Sequence, residues 1–253
     1  MNRIKTKLKE NKKILSIYFS AGFPNLNDTK SLIENLANNG VGMIEIGLPF
    51  SDPLADGPII QASSTQALKN GMTSILLFEQ LKDIRKTVSI PLIIMGYFNP
   101  ILQFGVENFL KECQQTGIDG LIIPDLPLEI YLSEYKDLFE SYCVKLLFLI
   151  TPQTSAERIK LIDNHSDGFI YMVSSDGVTG SRESFDKNQL AYFKRIAAMN
   201  LNNPQIIGFG ISNKITFQQA IEHQKGAIVG SSFIQFIATN KISDIPKFIQ
   251  NIL

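Results

Sequence analysis

The sequence predicts a (β/α)8 barrel with an extra helix at its N-terminus. Two observations carry that reading: eight short apolar runs recur along the 253 residues, and polar loops and amphipathic stretches separate them. Strands alternating with helices build right-handed βαβ units and a parallel sheet. Eight units favour closure into a barrel, since a doubly wound open sheet uses about five or six strands. No Ser/Gly/Pro linker or low-complexity run divides the chain, so residues 1–253 read as a single domain.

The elements follow in order. The opening MNRIKTKLKENKK reads as a basic amphipathic helix leading into the first strand, 14–19. That apolar run is too short for a secretory signal and no small-residue cleavage site follows it. Nowhere does the chain approach the roughly 18 apolar residues of a membrane span. The sequence therefore places the protein in the cytoplasm, away from membranes. Further strands are expected at 43–46, 91–95, 120–123, 145–150, 168–173, 205–209 and 227–229, and helices at 28–37, 75–87, 106–115, 129–142, 156–164, 187–199, 214–223 and 233–239. Asn27 and Asn213 offer capping oxygens, while Gly40 and Gly117 suit helix C-termini.

Charge and composition narrow the function. Lys plus Arg and Asp plus Glu both number 24, so the net charge is zero, which argues against nucleic acid as a partner and for a small molecule or another protein. Cys113 and Cys143 lack metal-ligand spacing and read as small buried groups on helices. With only His165 and His223, both in polar surroundings, neither a Ser-His-Asp site nor metal chemistry fits.

Chemistry points instead to Met43–Gln61, MIEIGLPFSDPLADGPIIQ. Glu45 interrupts a strand that is apolar on both faces, and Asp56 follows on a loop. On the residues alone two readings stand. Either Glu45 pairs with a buried cation and Asp56 is a turn residue before Gly57, or two carboxylates converge on a substrate. In a barrel the site lies where strands end and βα-loops begin. Tyr18, Glu45, Asn99, Asp125, Thr151 and Tyr171 fall near that rim. Glycine-rich loops at 177–180, 208–212 and 230–232 stand where phosphate binding recurs in this fold. The polar stretch after Gly177–Gly180 could close as a lid or be plain surface loop.

Glu45-Ile46-Gly47-Leu48-Pro49-Phe50-Ser51-Asp52-Pro53-Leu54-Ala55-Asp56-Gly57-Pro58 closely resembles the most specific motif of the tryptophan synthase alpha chain family. The likeness continues through Ser20-Ala21-Gly22-Phe23-Pro24, Met95-Gly96-Tyr97-Phe98-Asn99-Pro100, Pro124-Asp125-Leu126-Pro127, Gly177-Val178-Thr179-Gly180 and Gly208-Phe209-Gly210-Ile211-Ser212, in order and over almost the whole chain. The resemblance implies a lyase of tryptophan biosynthesis that splits indole-3-glycerol phosphate into indole and glyceraldehyde 3-phosphate by a retro-aldol step. It places Glu45 and Asp56 as the catalytic pair, Tyr171 as their support, Tyr18 in the aromatic wall, and Gly180, Gly210, Gly230 and Ser231 on the phosphate. No cofactor is implied for this chain. A pyridoxal-phosphate-dependent beta chain is implied as partner, in an alpha2beta2 heterotetramer, docking on the loops at 52–58 and 99–102 and on the lid. Two departures are visible: Asp176 adds an acid near the phosphate, to be paired with Arg182 or turned away, and Tyr18 adds a hydroxyl to an apolar wall. The alternatives are a stand-alone lyase that releases indole freely, and a noncatalytic barrel that activates a partner.

Overall fold

The computed structural model describes residues 2–174 and 184–253. Nine parallel strands are present among them: β1 (Ile14–Ser20), β2 (Met43–Gly47), β3 (Leu92–Met95), β4 (Gly120–Ile122), β5 (Lys145–Leu146), β6 (Leu149–Ile150), β7 (Ile170–Val173), β8 (Gln205–Gly208) and β9 (Gly226–Val229). Their order in the sheet is β5-β4-β3-β2-β1-β9-β8-β7-β6. The two ends of that sheet are consecutive in the chain. Leu147 N–H donates to Leu121 on one side, at 2.9 Å, and Phe148 carbonyl accepts from Tyr171 on the other, also at 2.9 Å. The sheet thus curls shut into the expected TIM barrel. The expected continuous strand at 145–150 is two pieces because its first half serves β4 and its second half β7, the stagger that closing a barrel demands.

Period-two alternation sorts the side chains into two cores. Leu15, Ile17 and Phe19 of β1 face outward into the shell beneath the helices, while Ile14 and Tyr18 join Met43, Ile93, Ile122, Phe169 and Ile206 inside the barrel. The N-terminal helix Arg3–Lys9 drives Ile4, fully buried, into the base of that interior. It plugs the end opposite the rim.

Several helices differ from expectation. The stretch 75–87 is a helix at Ser74–Leu81 followed by a 3-10 turn at Ile84–Lys86, and 129–142 is a helix broken by a π-helical segment at Tyr131–Tyr135. Three further helices are present. Pro58–Lys69 starts on a proline, whose missing N–H costs nothing at a first helical position. Phe98–Phe104 tolerates Pro100 because it falls in the first turn. Ile245–Ile252 buries Ile245, Ile249 and Ile252 and packs on the helix Thr29–Asn38. Gly117 ends the helix Val106–Thr116 in the left-handed region, φ 76°. Cys113 is buried, but Cys143 lies past its helix and is exposed. Among the described residues no helix is long and apolar enough to cross a membrane.

Candidate active site

Inside the barrel, three strands end in glycine or lead into it, and tyrosines from the layer below rise into the space. A Cβ on Gly47 would collide with the Tyr18 hydroxyl, one on Gly208 with the Tyr171 hydroxyl, and one on Gly230 would touch the Tyr18 ring at 3.5 Å. The result is a cavity of about 450 Å³ at the C-terminal rim, lined by Tyr18, Asp56, Met95, Tyr171, Phe209 and the loop residues at 210–211 and 230–232, among others. A smaller hollow of about 290 Å³ lies beyond it, under the loops after β2 and β3, and Tyr18, Asp56 and Met95 stand in the wall common to both.

Glu45 sits at the centre of β2, level with Tyr18 on β1 and Ile93 on β3, and is fully buried. Ser16 donates to its Oε1 at 3.2 Å, and Oε2 has no partner. Among the described residues no buried cation pairs with it, so the ion-pair reading finds no support there. Burial raises its pKa to about 8, against a smaller pull from Ser16. Glu45 does not line the cavity; bonded to Ser16, a position nearer the barrel base, its carboxyl group is turned away from the rim.

Asp56 meets the cavity directly. It is more enclosed than a wet loop residue, at 6% exposure, because Tyr97 and the helix Pro58–Lys69 cover it. Tyr97 donates to Oδ2 at 3.2 Å and accepts from Ala55 N–H at 2.9 Å; Oδ1 has no partner. Burial raises the Asp56 pKa to about 6, opposed by the Tyr97 bond. At neutral pH the two acids therefore differ, Glu45 protonated and Asp56 mostly ionised. Tyr18 and Tyr171 are both raised well above the usual phenol range, chiefly by burial and then by Asp56 and Glu45 respectively, so both stay neutral.

Opposite the acids, the cavity is lined by backbone and hydroxyls. Phe209 and Gly210 are consecutively left-handed, φ 71° and 77°, and Ser174 Oγ holds the turn by donating to the Phe209 carbonyl at 2.8 Å. The helix Ser231–Thr239 opens from Gly230 with no side-chain cap among the described residues, and its first residues, Ser231 and Ser232, line the cavity. The neighbouring helix Lys214–Ile221 is closed by Asn213, which leaves the later terminus as the place for an anion. Among the described residues, no Lys or Arg lines this cavity.

Of the residues singled out in sequence, the cavity gathers Tyr18, Asp56, Tyr171, Gly210, Gly230 and Ser231, and Glu45 lies beneath it. Gly180, with Gly177–Thr179, Asp176 and Arg182, falls outside the described residues. Asp125 serves the main chain, accepting from Phe98 N–H at 2.9 Å. Tyr97 and Ser16, which bond the two acids, carry little signal in the sequence. Tyr97 stood inside a quoted motif, and Ser16 was marked only by being polar two residues before Tyr18 on the same face of a strand.

A barrel with one poised carboxyl group in its rim cavity, a second buried beneath it and an uncapped helix terminus across the cavity has the make-up of an acid–base enzyme of small anionic substrates. A family model described as tryptophan synthase alpha chain matches residues 4–251. The tryptophan synthase alpha chain of Flavobacterium psychrophilum is 69% identical over 252 residues, covering 100% of both chains. That of Flavobacterium johnsoniae is 64% identical over the same length, again 100% of both. The crystal structure of tryptophan synthase subunit alpha from Legionella pneumophila superposes with a TM-score of 0.90 at 31% identity, covering 100% of this chain and 97% of that one. The chain belongs to the tryptophan synthase alpha chain family, the lyases that cleave indole-3-glycerol phosphate in tryptophan biosynthesis.

Proposed function

We propose that this chain performs the cleavage with Glu45 and Asp56 as its acid–base pair, Tyr171 as their support and Tyr18 in the ring-binding wall. The single observation that carries the assignment is that each acid keeps one buried oxygen without a partner. A buried acceptor left bare costs about 1–3 kcal/mol, a cost that a bound ligand relieves.

Breaking the bond between the indole ring and the glycerol chain needs a proton delivered to ring carbon and one removed from the side-chain hydroxyl. The ring N–H also needs an anion beside it as positive charge develops. Glu45, protonated near neutral pH, delivers the first proton once its carboxyl group turns from Ser16 toward the cavity, and then takes the second. Asp56, ionised, receives the ring N–H on Oδ1. The phosphate rests on Gly210, Gly230, Ser231 and Gly180, held by N–H groups and hydroxyls, and this remote grip orients the reacting end.

The partner in this reading is a tryptophan synthase beta chain in an alpha2beta2 complex, formed in the cytoplasm by single barrel domains spanning 1–253. Its landing area is the rim. Leu54, Leu102 and Ile130 are exposed by 93%, 49% and 39% on three consecutive βα segments. Those segments are tied together: Tyr97 reaches Ala55 and Asp56, Phe50 packs on Tyr97 at 5.3 Å between centroids, and Phe98 N–H is held by Asp125. Turnover of indole-3-glycerol phosphate by the purified chain, with and without a beta chain, tests the proposal. Turnover stimulated by the beta chain is expected. A Glu45→Gln chain that still releases indole near the original rate would refute the assignment.

A further inference from the structure

The turn at Phe209 and Gly210 is held from behind, and the hold leads back to a buried side chain outside the cavity. Phe209 is a non-glycine residue in the left-handed region, φ 71°, a conformation that persists only where its surroundings impose it. Ser174 imposes it. Its N–H donates to the Gly208 carbonyl at 3.2 Å and its Oγ to the Phe209 carbonyl at 2.8 Å, so it grips the turn at two successive carbonyls. A Cβ on Gly210 would lie 3.7 Å from the same Oγ and 3.2 Å from the Phe185 ring, which makes Ser174 and Phe185 the back wall of the turn. Phe185 is fixed by its own neighbours: its N–H donates to Gln219 Oε1 at 3.0 Å and its ring meets Phe193 edge-on at 5.0 Å.

Ser174 is fixed by Gln189, a buried residue in the first turn of the helix Lys187–Ala197. Gln189 Oε1 accepts from Asp186 N–H at 3.1 Å, which is its half of a capping box. Gln189 Nε2 donates to the Ser174 carbonyl at 3.2 Å. A glutamate would close the capping box as well, and its charge would suit a helix N-terminus better. An ionised glutamate has no proton to give, so of these two bonds only the second asks for an amide. Glutamine in place of glutamate thus serves Ser174 rather than the helix.

We propose that Gln189 is a positioning residue for the phosphate end of the cavity: it seats Ser174, and Ser174 sets the Phe209–Gly210 turn against which the anion rests. The inference rests on the proposed placement of the phosphate at Gly210, Gly230 and Ser231. Affinity for phosphate then depends on a donor that does not itself line the cavity, while the ring end, where Asp56 and Tyr18 stand, does not depend on it.

Calorimetric titration of sn-glycerol 3-phosphate, and separately of indole, into the full chain and its variants is the test. Gln189→Glu keeps the cap and loses the donor: its thermal midpoint should not fall, glycerol 3-phosphate should bind roughly tenfold more weakly, and indole binding should stay within about twofold. Gln189→Met, neutral and of similar length, should show the same loss of glycerol 3-phosphate. Ser174→Ala, which deletes only the hydroxyl, should also cost roughly tenfold, and Gln189→Glu added to it should cost little more, because both act on one turn. A residue that served only as a cap would lose nothing in Gln189→Glu. A pure charge effect would spare Gln189→Met and add to Ser174→Ala, and a general loss of packing would fall on indole as well. Any of these three results overturns the role of Gln189. An unsubstituted chain that does not bind glycerol 3-phosphate would instead remove the phosphate corner, and this inference with it.

Discussion

Asp119 at the base of the barrel and the pair Glu45 and Asp56 toward its rim are buried to the same degree, yet their oxygens are treated oppositely. Asp119 Oδ1 accepts from Arg3 main-chain N–H at 3.3 Å and Arg3 Nη1 at 3.1 Å. Its Oδ2 accepts from Arg85 Nη2 at 2.6 Å and Leu92 N–H at 3.1 Å. That carboxylate ties the N-terminal plug, the turn at Ile84–Lys86 and the starts of β3 and β4 into one knot. Glu45 and Asp56 each receive one side-chain hydrogen bond and keep one oxygen bare. Burial by itself thus says little about purpose. What separates a fastening from a reacting group is whether its donors have already been supplied by the fold.

Exchanging the carboxyl group for an amide at both ends should separate the two kinds most sharply. Glu45→Gln is expected to lower kcat by about 10³-fold or more while the chain stays folded. Its stability should even gain at high pH. Glu45 titrates near 8 in the folded chain against an ordinary 4.5. The folded state therefore holds its proton more tightly, and its contribution is whole below about pH 4.5 and is lost as pH rises through 8. An amide has no such loss, so urea melts at pH 6 and pH 9 should converge in the variant and diverge in the parent. Asp119→Asn should do the reverse, costing on the order of 3 kcal/mol by stranding Arg3 and Arg85 while kcat of the folded fraction stays within about twofold. An Asp119 variant that folds normally but loses turnover would break the contrast.

In the proposed mechanism Glu45 and Asp56 also set a pH window. With Asp56 ionised above about 6 and Glu45 protonated below about 8, turnover should follow a bell between those values. Tyr97→Phe removes a donor that lowers the Asp56 pKa, so the acid limb should move upward while the basic limb stays. A roughly tenfold fall in kcat/KM at neutral pH would accompany it. A shift of both limbs together would mean that the two acids titrate as one coupled unit.

The same contrast explains what the sequence made legible. Glu45 stood out because a carboxylate in a run apolar on both faces violates burial, and Asp56 because a specific motif surrounds it. Asp119 passed unnoticed in Gly117-Ile118-Asp119-Gly120, where an acid between glycines reads as a turn. Its partners lie far away in sequence, at Arg3 and Arg85. Strand positions were readable to within a residue or two from apolar runs, apart from the break at Leu147 and Phe148, which only closure of the sheet imposes. The helix Ile245–Ile252 carries its signal in the sequence, apolar at 245, 248, 249 and 252, although it follows the eighth strand-and-helix unit and adds nothing to the barrel count. The downward turn of Glu45 and the enclosure of Asp56 by Tyr97 were not readable, since both depend on which neighbours tertiary packing brings near.

The outer surfaces of the two ends differ as their interiors do. Around the base, Asp167 is shared by Lys5 and Lys145, a solvated ion cluster, whereas the rim exposes Leu54 almost completely on the loop that carries Asp56. An exposed leucine makes no contribution to folding that solvent would notice, so Leu54→Asp should leave the stability of the isolated chain within about 0.5 kcal/mol and its unstimulated turnover nearly intact. In the proposed complex the same change buries a charge without a partner, and binding of the beta chain should weaken by about tenfold or more. Pull-down or calorimetry with a beta chain reads the affinity, and the stimulation of turnover should fall in step with it. Lys5→Ala at the base is the matched control, expected to alter neither. If Leu54→Asp binds the beta chain as the parent does, the partner lands elsewhere on the barrel, and the exposed apolar residues of the rim need another explanation.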